Sequence, residues 1–207
     1  MPYGKDMTDS NSSIQQVNDF FPADIAEQIA NYANFHAQYR YGETDANDKP
    51  PSGLISDLFY LIDNRNNITG ENEKLIYNYF TEYLNKKYIG VLDTYQIYRL
   101  YINSFAPREP AYFHTDAPKE ADELTFIYYP LHCFDYNINQ GGCTEFFLEE
   151  KIIGFLPYYN SIIKFDSHIE HRATAFKDQR RFTIAIKCIN KDEIKNLMSN
   201  HSKILQN

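Results

Sequence analysis

The stretch Tyr112-Phe113-His114-Thr115-Asp116 places an imidazole and a carboxylate two residues apart, directly after a run of residues typical of a β-strand. Side chains at positions i and i+2 of a strand point to the same face of its sheet. His114 and Asp116 can therefore reach into one space and bind one metal ion. A His-x-Asp triplet is common, however, and a site needs at least one more ligand from elsewhere in the chain.

A third ligand is offered by Phe165-Asp166-Ser167-His168-Ile169-Glu170-His171, late in the series of predicted strands. In a jelly roll the chain returns to the same sheet after a few strands, so a late strand can lie beside an early one. Two histidines and one carboxylate on neighbouring strands form the facial triad that binds Fe(II) in non-haem oxygenases and leaves coordination positions open. We predict His114, Asp116 and His171 as metal ligands and catalytic residues.

An arginine follows this third ligand by ten residues, in the predicted strand Arg180-Arg181-Phe182-Thr183-Ile184. A cation in a β-core is costly unless it meets an anion, and a guanidinium binds a carboxylate through two parallel hydrogen bonds. Thr183 shares the strand face of Arg181 and can add a hydroxyl. The alternative is a surface position in the preceding turn, which one of the two arginines must take. We predict that Arg181 and Thr183 hold the far end of a dicarboxylic cosubstrate.

Charge and cysteine content exclude several classes of protein. The formal net charge of −8 argues against sequence-independent nucleic-acid binding, which depends on Lys and Arg at phosphates, and against an anionic membrane surface. Three cysteines without C-x-x-C spacing argue against a disulfide framework or a structural zinc site. With no apolar signal region and no membrane-spanning run, the chain is expected to be cytoplasmic. The oligomeric state is not indicated.

Helical patterns dominate the first part of the chain. Residues 1–17 are polar and are predicted to be flexible, and residues 18–207 are predicted to form a single domain. Helices are predicted over about 22–35, 53–64 and 71–87, and the last of these carries an apolar stripe at i, i+3, i+4 spacing.

Short strands with turn signals between them follow from about residue 90 to residue 189. They predict a mainly β protein with flanking helices, whose core is a sandwich, barrel or jelly roll. A last helix is predicted over about 191–205. The predicted strands lie at 37–42, 95–105, 111–116, 124–131, 144–148, 152–156, 161–165, 171–176 and 181–189.

These motifs resemble those of the 2-oxoglutarate/Fe(II)-dependent dioxygenases, specifically the prolyl-4-hydroxylase-like branch, over roughly residues 95–188. The resemblance implies a double-stranded β-helix (jelly-roll) core, Fe(II), 2-oxoglutarate and O₂, succinate and CO₂ as coproducts, and ascorbate as a possible reductant. The matching residues are His114-Thr115-Asp116, Gly141-Gly142-Cys143-Thr144-Glu145-Phe146, Phe165-Asp166-Ser167 leading to His171, and Arg181 at the family's spacing from the distal histidine.

The chain departs from the family in the turn before the arginine. The family often has His-x-Val-x-Pro-Val where this chain has His171-Arg172-Ala173-Thr174-Ala175-Phe176, and a glycine where this chain has Gln179. These departures lie near the mouth of the expected site, so they weaken any inference about the substrate.

The family pattern also assigns secondary roles. The spacing Phe-x-Ser-x-x-x-His and the ten-residue step to Arg181 favour His171 over His168 as the distal ligand. The family commonly places a tyrosine hydroxyl on the distal carboxylate of 2-oxoglutarate, and Tyr101 is expected to take that role. Alternatives to Tyr101 are Tyr98, Asn103 and Tyr112, and the histidines with no expected ligand role are His36, His132 and His201.

The expected activity is hydroxylation of a C–H bond. A protein or peptide side chain is the first candidate substrate, and a free amino acid or small metabolite is the alternative. Loops 43–53 and 132–142, with helix 71–87, are expected to shape access. An AlkB-like nucleic-acid demethylase is disfavoured by the acidic charge, and a cupin-type dioxygenase by the ligand pattern. The alternative from another class is a non-catalytic jelly-roll metal- or ligand-binding module.

Overall fold

The computed structural model describes residues 13–41, 49–50, 52–61, 70–131 and 138–194. The helices in these ranges are α1 (Ala23–Asn31), continued by a π-helical turn (Tyr32–His36), α2 (Glu71–Lys87), α3 (Val91–Thr94) and a 3₁₀ turn (Ile138–Gln140). The strands are β1 (Ile14–Val17), β2 (Arg40–Tyr41), β3 (Leu54–Tyr60), β4 (Tyr95–Phe105), β5 (Glu123–Tyr128), β6 (Thr144–Leu148), β7 (Lys151–Phe155), β8 (Ile162–Asp166), β9 (His171–Ala173) and β10 (Arg181–Asn190).

These strands form two antiparallel sheets. The larger sheet has the order β1-β8-β5-β10-β4-β3-β2, and the smaller has the order β7-β6-β9. Apolar side chains from both sheets meet between them, where the ring of Phe146 on β6 packs 4.8 Å from that of Phe165 on β8. The predicted mainly β fold class with a jelly-roll core is thereby confirmed.

Strand β10 lies at the centre of the larger sheet, between β4 and β5, and has two chemically different faces. Because side chains alternate along a strand, one face carries Ile184, Ile186 and Cys188, all of which are fully buried. The opposite face carries four residues that include two cations and a hydroxyl: Arg181, Thr183, Ala185 and Lys187. The apolar face meets the helices, and the polar face is turned toward the smaller sheet.

Helices α1 and α2 cover the apolar face of the larger sheet. Helix α2 buries Ile76, Phe80 and Leu84, which follow one another at i+4 spacing. The ring of Phe80 is fully buried and lies 5.1 Å from that of Phe21 and 5.5 Å from that of Tyr128 on β5. The predicted helix 71–87 is confirmed at both ends. Its apolar stripe also indicated correctly which face is buried.

The predicted helix over 53–64 is wrong, since residues Leu54–Tyr60 form strand β3. Ile55 pairs with Asn103 of β4, and an irregularity between Asp57 and Phe59 shifts the register. Such a shift breaks the regular alternation of a strand, so the spacing of apolar residues imitates that of a helix.

The C-terminal end of the segment 1–17, predicted to be flexible, is ordered in the structure. Residues Ile14–Val17 form strand β1, which pairs with β8 and places Ile14 opposite Phe165. Polar composition predicted flexibility, but the exposed edge of β8 supplies hydrogen-bonding partners that composition cannot show. Residues 1–12 lie outside the described residues, and the single domain over 18–207 stays a prediction.

Two further predicted elements are seen only in part. Residues 111–116 were predicted as a strand, but only an isolated bridge between His114 and His171 forms there. The last predicted helix begins at Lys191 and is helical to Ile194, and the rest of it lies outside the described residues. Within the described ranges, no helix combines the length and the apolar character needed to cross a bilayer.

Candidate active site

The structure brings His114, Asp116 and His171 together between the two sheets. Backbone hydrogen bonds join the two histidines in both directions, at 3.0 Å from the N–H of His114 and 2.9 Å from that of His171. Nε2 of His114 lies 3.7 Å from Oδ1 of Asp116, and Nε2 of His171 lies 3.5 Å from Oδ2. One potential ligand atom from each residue lies within 4.8 Å of the others, so the three can hold one ion.

Both histidines present the nitrogen that a metal requires. Nδ1 of His114 lies 3.0 Å from the carbonyl oxygen of Tyr112, and Nδ1 of His171 lies 2.9 Å from that of Ile169. Because a carbonyl oxygen only accepts hydrogen bonds, each Nδ1 is assigned the proton, and the lone pair stays on Nε2. Burial lowers the pKa of His171 to about 4 although Asp116 acts to raise it, so this imidazole is neutral at neutral pH.

The carboxylate of Asp116 is held in its ionised form. Burial acts to raise its pKa, but the ammonium of Lys187, followed by the two histidines, outweighs burial and holds the pKa well below its usual range. Thr125 Oγ1 donates a hydrogen bond to Oδ2 at 2.7 Å, and Lys187 Nζ forms an ion pair with the same oxygen. An ionised carboxylate beside two imidazoles is a donor set suited to Fe(II).

Lys187 was not predicted from the sequence as a site residue. The alternation along β10 could have indicated it, because Lys187 shares the polar face of this strand with Arg181 and Thr183. Lys187 is 6% exposed, and its ion pair with Asp116 acts against burial and raises its pKa.

Two of the remaining histidines, His168 and His36, lie in the described part of the chain. His168 occupies the turn between β8 and β9 and is half-buried, but the group that can hold an ion contains His171 and not His168. His36 is exposed at the end of the π-helical turn. His132 and His201 lie outside the described residues.

A cavity of about 300 Å³ opens beside the three ligand candidates. Its wall includes Thr183 and Tyr101, two of the predicted cosubstrate residues. Tyr101 is buried, and the guanidinium carbon of Arg99 lies 4.1 Å from the centre of its ring. Other residues of the wall include Tyr98, Arg99, Asn103, Ile127, Ala173, Ala185 and Lys187.

Arg181 is 1% exposed and carries an unused hydrogen-bond donor. Nε donates to the carbonyl oxygen of Gly142 and Nη2 to Thr144 Oγ1, both at 2.9 Å, whereas buried Nη1 has no partner. Within the described part of the chain, no carboxylate forms an ion pair with it. A buried cation in this state is expected to meet an anion, which fits a carboxylate of the cosubstrate.

Arg181 lies beyond Thr183 as seen from the metal-ligand group. Thr183 lines the cavity beside the three ligands, whereas Arg181 lines a second cavity of about 240 Å³. A cosubstrate held by both residues would therefore extend from the first cavity along β10 toward the unused Nη1 atom.

Tyr129 lies beside this arginine and was not predicted from the sequence as a site residue. Its ring centre lies 5.6 Å from the guanidinium carbon of Arg181, and its hydroxyl lies 2.6 Å from Thr144 Oγ1. Tyr101 instead pairs with Ala185, four positions from Arg181 and so about 13 Å away along β10. The alternation of Thr125, Ile127 and Tyr129 after the metal motif was a signal that could have indicated Tyr129.

Comparison with known proteins places this fold. No protein-family model matches the chain, and no curated protein matches its sequence. Solved structures match over most of its length. The fold is that of the 2-oxoglutarate- and Fe(II)-dependent oxygenases.

Three of these structures illustrate the match. An oxidoreductase of the 2OG-Fe(II) oxygenase family from Burkholderia pseudomallei has a TM-score of 0.66 at 14% identity, covering 88% of this chain and 90% of its own. A prolyl hydroxylase from Trichoplax adhaerens, in complex with a hypoxia inducible factor peptide, has a TM-score of 0.64 at 16% identity, and the match covers 89% of this chain and 86% of the hydroxylase. A Pseudomonas putida prolyl-4-hydroxylase has a TM-score of 0.60 at 13% identity, and the match covers 87% of this chain and 94% of the hydroxylase.

Proposed function

We propose that this protein is a 2-oxoglutarate- and Fe(II)-dependent dioxygenase that hydroxylates a C–H bond, with succinate and CO₂ as coproducts. The observation that carries the proposal is the convergence of His114, Asp116 and His171 in the fold that these oxygenases share. A non-catalytic module that binds only a small molecule would not need three potential metal ligands at the edge of its cavity.

The residues present fit both groups that the reaction needs. Fe(II) would be held by Nε2 of each histidine and by the Asp116 carboxylate, and with 2-oxoglutarate it would supply the activation of O₂. Arg181 and Thr183 would hold the distal carboxylate of 2-oxoglutarate, and the Tyr129 hydroxyl is a further donor at the arginine. Tyr101 would contact ligands at the other end of the cavity.

These residues also govern the protonation and solvation of the site. The backbone carbonyls at Nδ1 orient both imidazoles, and Thr125 donates a hydrogen bond that positions the Asp116 carboxylate. The apolar walls that Ile127 and Ala173 contribute exclude water from the cosubstrate, which strengthens its electrostatic interactions with the protein.

Release of succinate from 2-oxoglutarate tests the reaction. The purified protein is incubated with Fe(II), 2-oxoglutarate, ascorbate and O₂, and His114→Ala and Asp116→Ala serve as comparisons. We expect slow Fe(II)-dependent succinate formation by the wild type and none above background by either variant. Equal succinate formation by all three proteins would refute the proposal.

A protein or peptide side chain is the proposed substrate class, supported by the similar prolyl hydroxylase whose structure contains a peptide. A free amino acid or a small metabolite is the alternative. The classes are separated by incubating the enzyme with cell-derived peptides or with a metabolite extract and searching each by mass spectrometry for a mass increase of one oxygen. The increase must depend on 2-oxoglutarate and be absent with Asp116→Ala.

A further inference from the structure

Lys187 adds a positive charge at the predicted metal site. Its ammonium is buried on the polar face of β10, forms an ion pair with Oδ2 of Asp116 and lies 3.2 Å from Thr125 Oγ1. Among the described residues, Asp116 is the carboxylate that forms an ion pair with Lys187. The same carboxylate is thus the counter-ion of a fixed internal cation and a candidate ligand of a metal cation.

The charges at the site balance when no metal is bound, because Lys187 and Asp116 then neutralise each other. A divalent metal bound to the three ligands would bring the net charge of the group to +2, whereas the same site without the lysine would carry +1. Excess charge in a buried site is costly, because the protein interior screens it weakly.

An anionic ligand reduces this excess. 2-Oxoglutarate would place one carboxylate beside the metal while Arg181 holds the other, so its binding would lower the net charge of the group from +2 to +1. We propose that Lys187 couples the two events: it holds Asp116 while no metal is bound and weakens the binding of metal alone. Once a metal takes this carboxylate, the released ammonium attracts the anionic cosubstrate, so metal and cosubstrate each favour the binding of the other. This inference rests on the proposed function, since it takes the cosubstrate to be a dianion.

Mn(II) is the probe for this coupling, since it replaces Fe(II) without turnover, and free Mn(II) is measured by electron paramagnetic resonance. Titrations are made with and without saturating 2-oxoglutarate for the wild type and for Lys187→Gln, Lys187→Arg and Arg99→Gln. Arg99 is the matched control, because it lines the same cavity and its ion-pair partner is Asp57, at 3.5 Å.

Lys187→Gln is expected to bind Mn(II) alone about tenfold more tightly than the wild type. Chelation by 2-oxoglutarate will tighten Mn(II) binding in every variant, so the decisive quantity is the size of that tightening. It should be smaller in Lys187→Gln than in the wild type, and the effect of Mn(II) on 2-oxoglutarate binding should shrink by the same factor. Lys187→Arg, which keeps the charge, should behave as the wild type.

A second readout is the thermal unfolding of the metal-free proteins. Lys187→Gln should unfold at a lower temperature than the wild type, because buried Asp116 loses its cation, and Mn(II) with 2-oxoglutarate should abolish most of the difference. Arg99→Gln should not reproduce this pattern.

Three results would overturn the inference: Mn(II) affinity of Lys187→Gln within about twofold of the wild type, equal tightening by Lys187→Gln and Lys187→Arg, or an equal effect of Arg99→Gln. Failure of the proposed function gives a different result, namely a wild type that binds Mn(II) neither alone nor with 2-oxoglutarate. In that case Mn(II) binding by Lys187→Gln would still support the role of Lys187, and its absence would refute both proposals.

Discussion

Hydrogen bonds of both the backbone and the ring hold His171 in place. Its N–H and carbonyl group both form hydrogen bonds with the backbone of His114, and its Nδ1 forms one with the carbonyl oxygen of Ile169. These contacts leave Nε2 directed toward Asp116 at 3.5 Å. His168, three residues earlier, is half-buried in the turn and is not part of the group.

Replacement of the two histidines separates their roles. We expect His171→Ala to lose at least about tenfold in Mn(II) affinity, because one of three ligands is removed, whereas His168→Ala should keep wild-type affinity. The measurement is Mn(II) titration by electron paramagnetic resonance in the presence of 2-oxoglutarate. Wild-type affinity in His171→Ala would show that the distal ligand is another residue.

The two tyrosines offered for the cosubstrate occupy opposite ends of the site, so they make different predictions. Tyr129→Phe removes the hydroxyl beside Arg181, and we expect the KM for 2-oxoglutarate to rise by roughly three- to tenfold, the loss of one hydrogen bond. Tyr101→Phe is the matched control and should change this KM by less than about twofold. A larger rise with Tyr101→Phe, measured by succinate release, would support the assignment of Tyr101 made from the sequence.

At the scale of elements, the segment before β6 joins the smaller sheet to the buried arginine. Gly142 has a φ of +80°, a conformation that residues with a Cβ rarely adopt. An added Cβ would lie 2.1 Å from Cε1 of Phe176. The carbonyl oxygen of Gly142 also accepts the hydrogen bond from Nε of Arg181.

Gly142→Ala is therefore expected to reduce the free energy of unfolding by about 2 kcal/mol or more, since it adds backbone strain and a ring clash. Its affinity for 2-oxoglutarate should fall as well, because the strain displaces the backbone carbonyl that accepts the hydrogen bond from Arg181. Gly154→Ala on β7 is the control: its added Cβ has no neighbour closer than 3.8 Å. Urea unfolding of both variants is the measurement, and equal stability of the two would contradict the role given to Gly142.

Strand β3 shows how far an element can be predicted from local pattern. The spacing of Leu54, Leu58 and Leu61 favoured a helix, but the segment pairs with the edge of β4. The free hydrogen-bonding groups of a neighbouring strand override a weak helical preference. Helix α2 was predicted correctly because its long apolar stripe needs no particular partner to be recognised.

At the scale of the whole molecule, one face of the larger sheet forms the hydrophobic core and the other forms the candidate site. Its apolar face packs on α1 and α2 around the fully buried ring of Phe80. Its polar face carries Thr183 and Lys187 at the candidate site. A substitution under the helices should therefore change stability with little effect on metal binding.

Phe80→Ala tests this separation. We expect it to reduce the free energy of unfolding by about 3–5 kcal/mol, because it opens a cavity among aromatic rings. Leu75→Ala, on the same helix but 41% exposed, should cost less than about 1 kcal/mol. Urea unfolding gives the stabilities, and Mn(II) titration at a temperature where both variants are folded should give wild-type affinity. A weaker Mn(II) affinity in folded Phe80→Ala would show that the two faces are coupled.

The sequence by itself determined that Arg181 and Thr183 share a face, because alternation along a strand is a local property of the backbone, and it indicated His114 and Asp116 as ligands through their close spacing. The fold class and helix α2 followed from the same kind of periodicity. The tertiary structure decided what each face meets. Only strand pairing brings His171 to Asp116, sets Tyr129 rather than Tyr101 beside Arg181, and places Lys187 on the Asp116 carboxylate. These contacts join residues far apart in the chain, so they depend on register and on the approach of the two sheets, which no local pattern specifies.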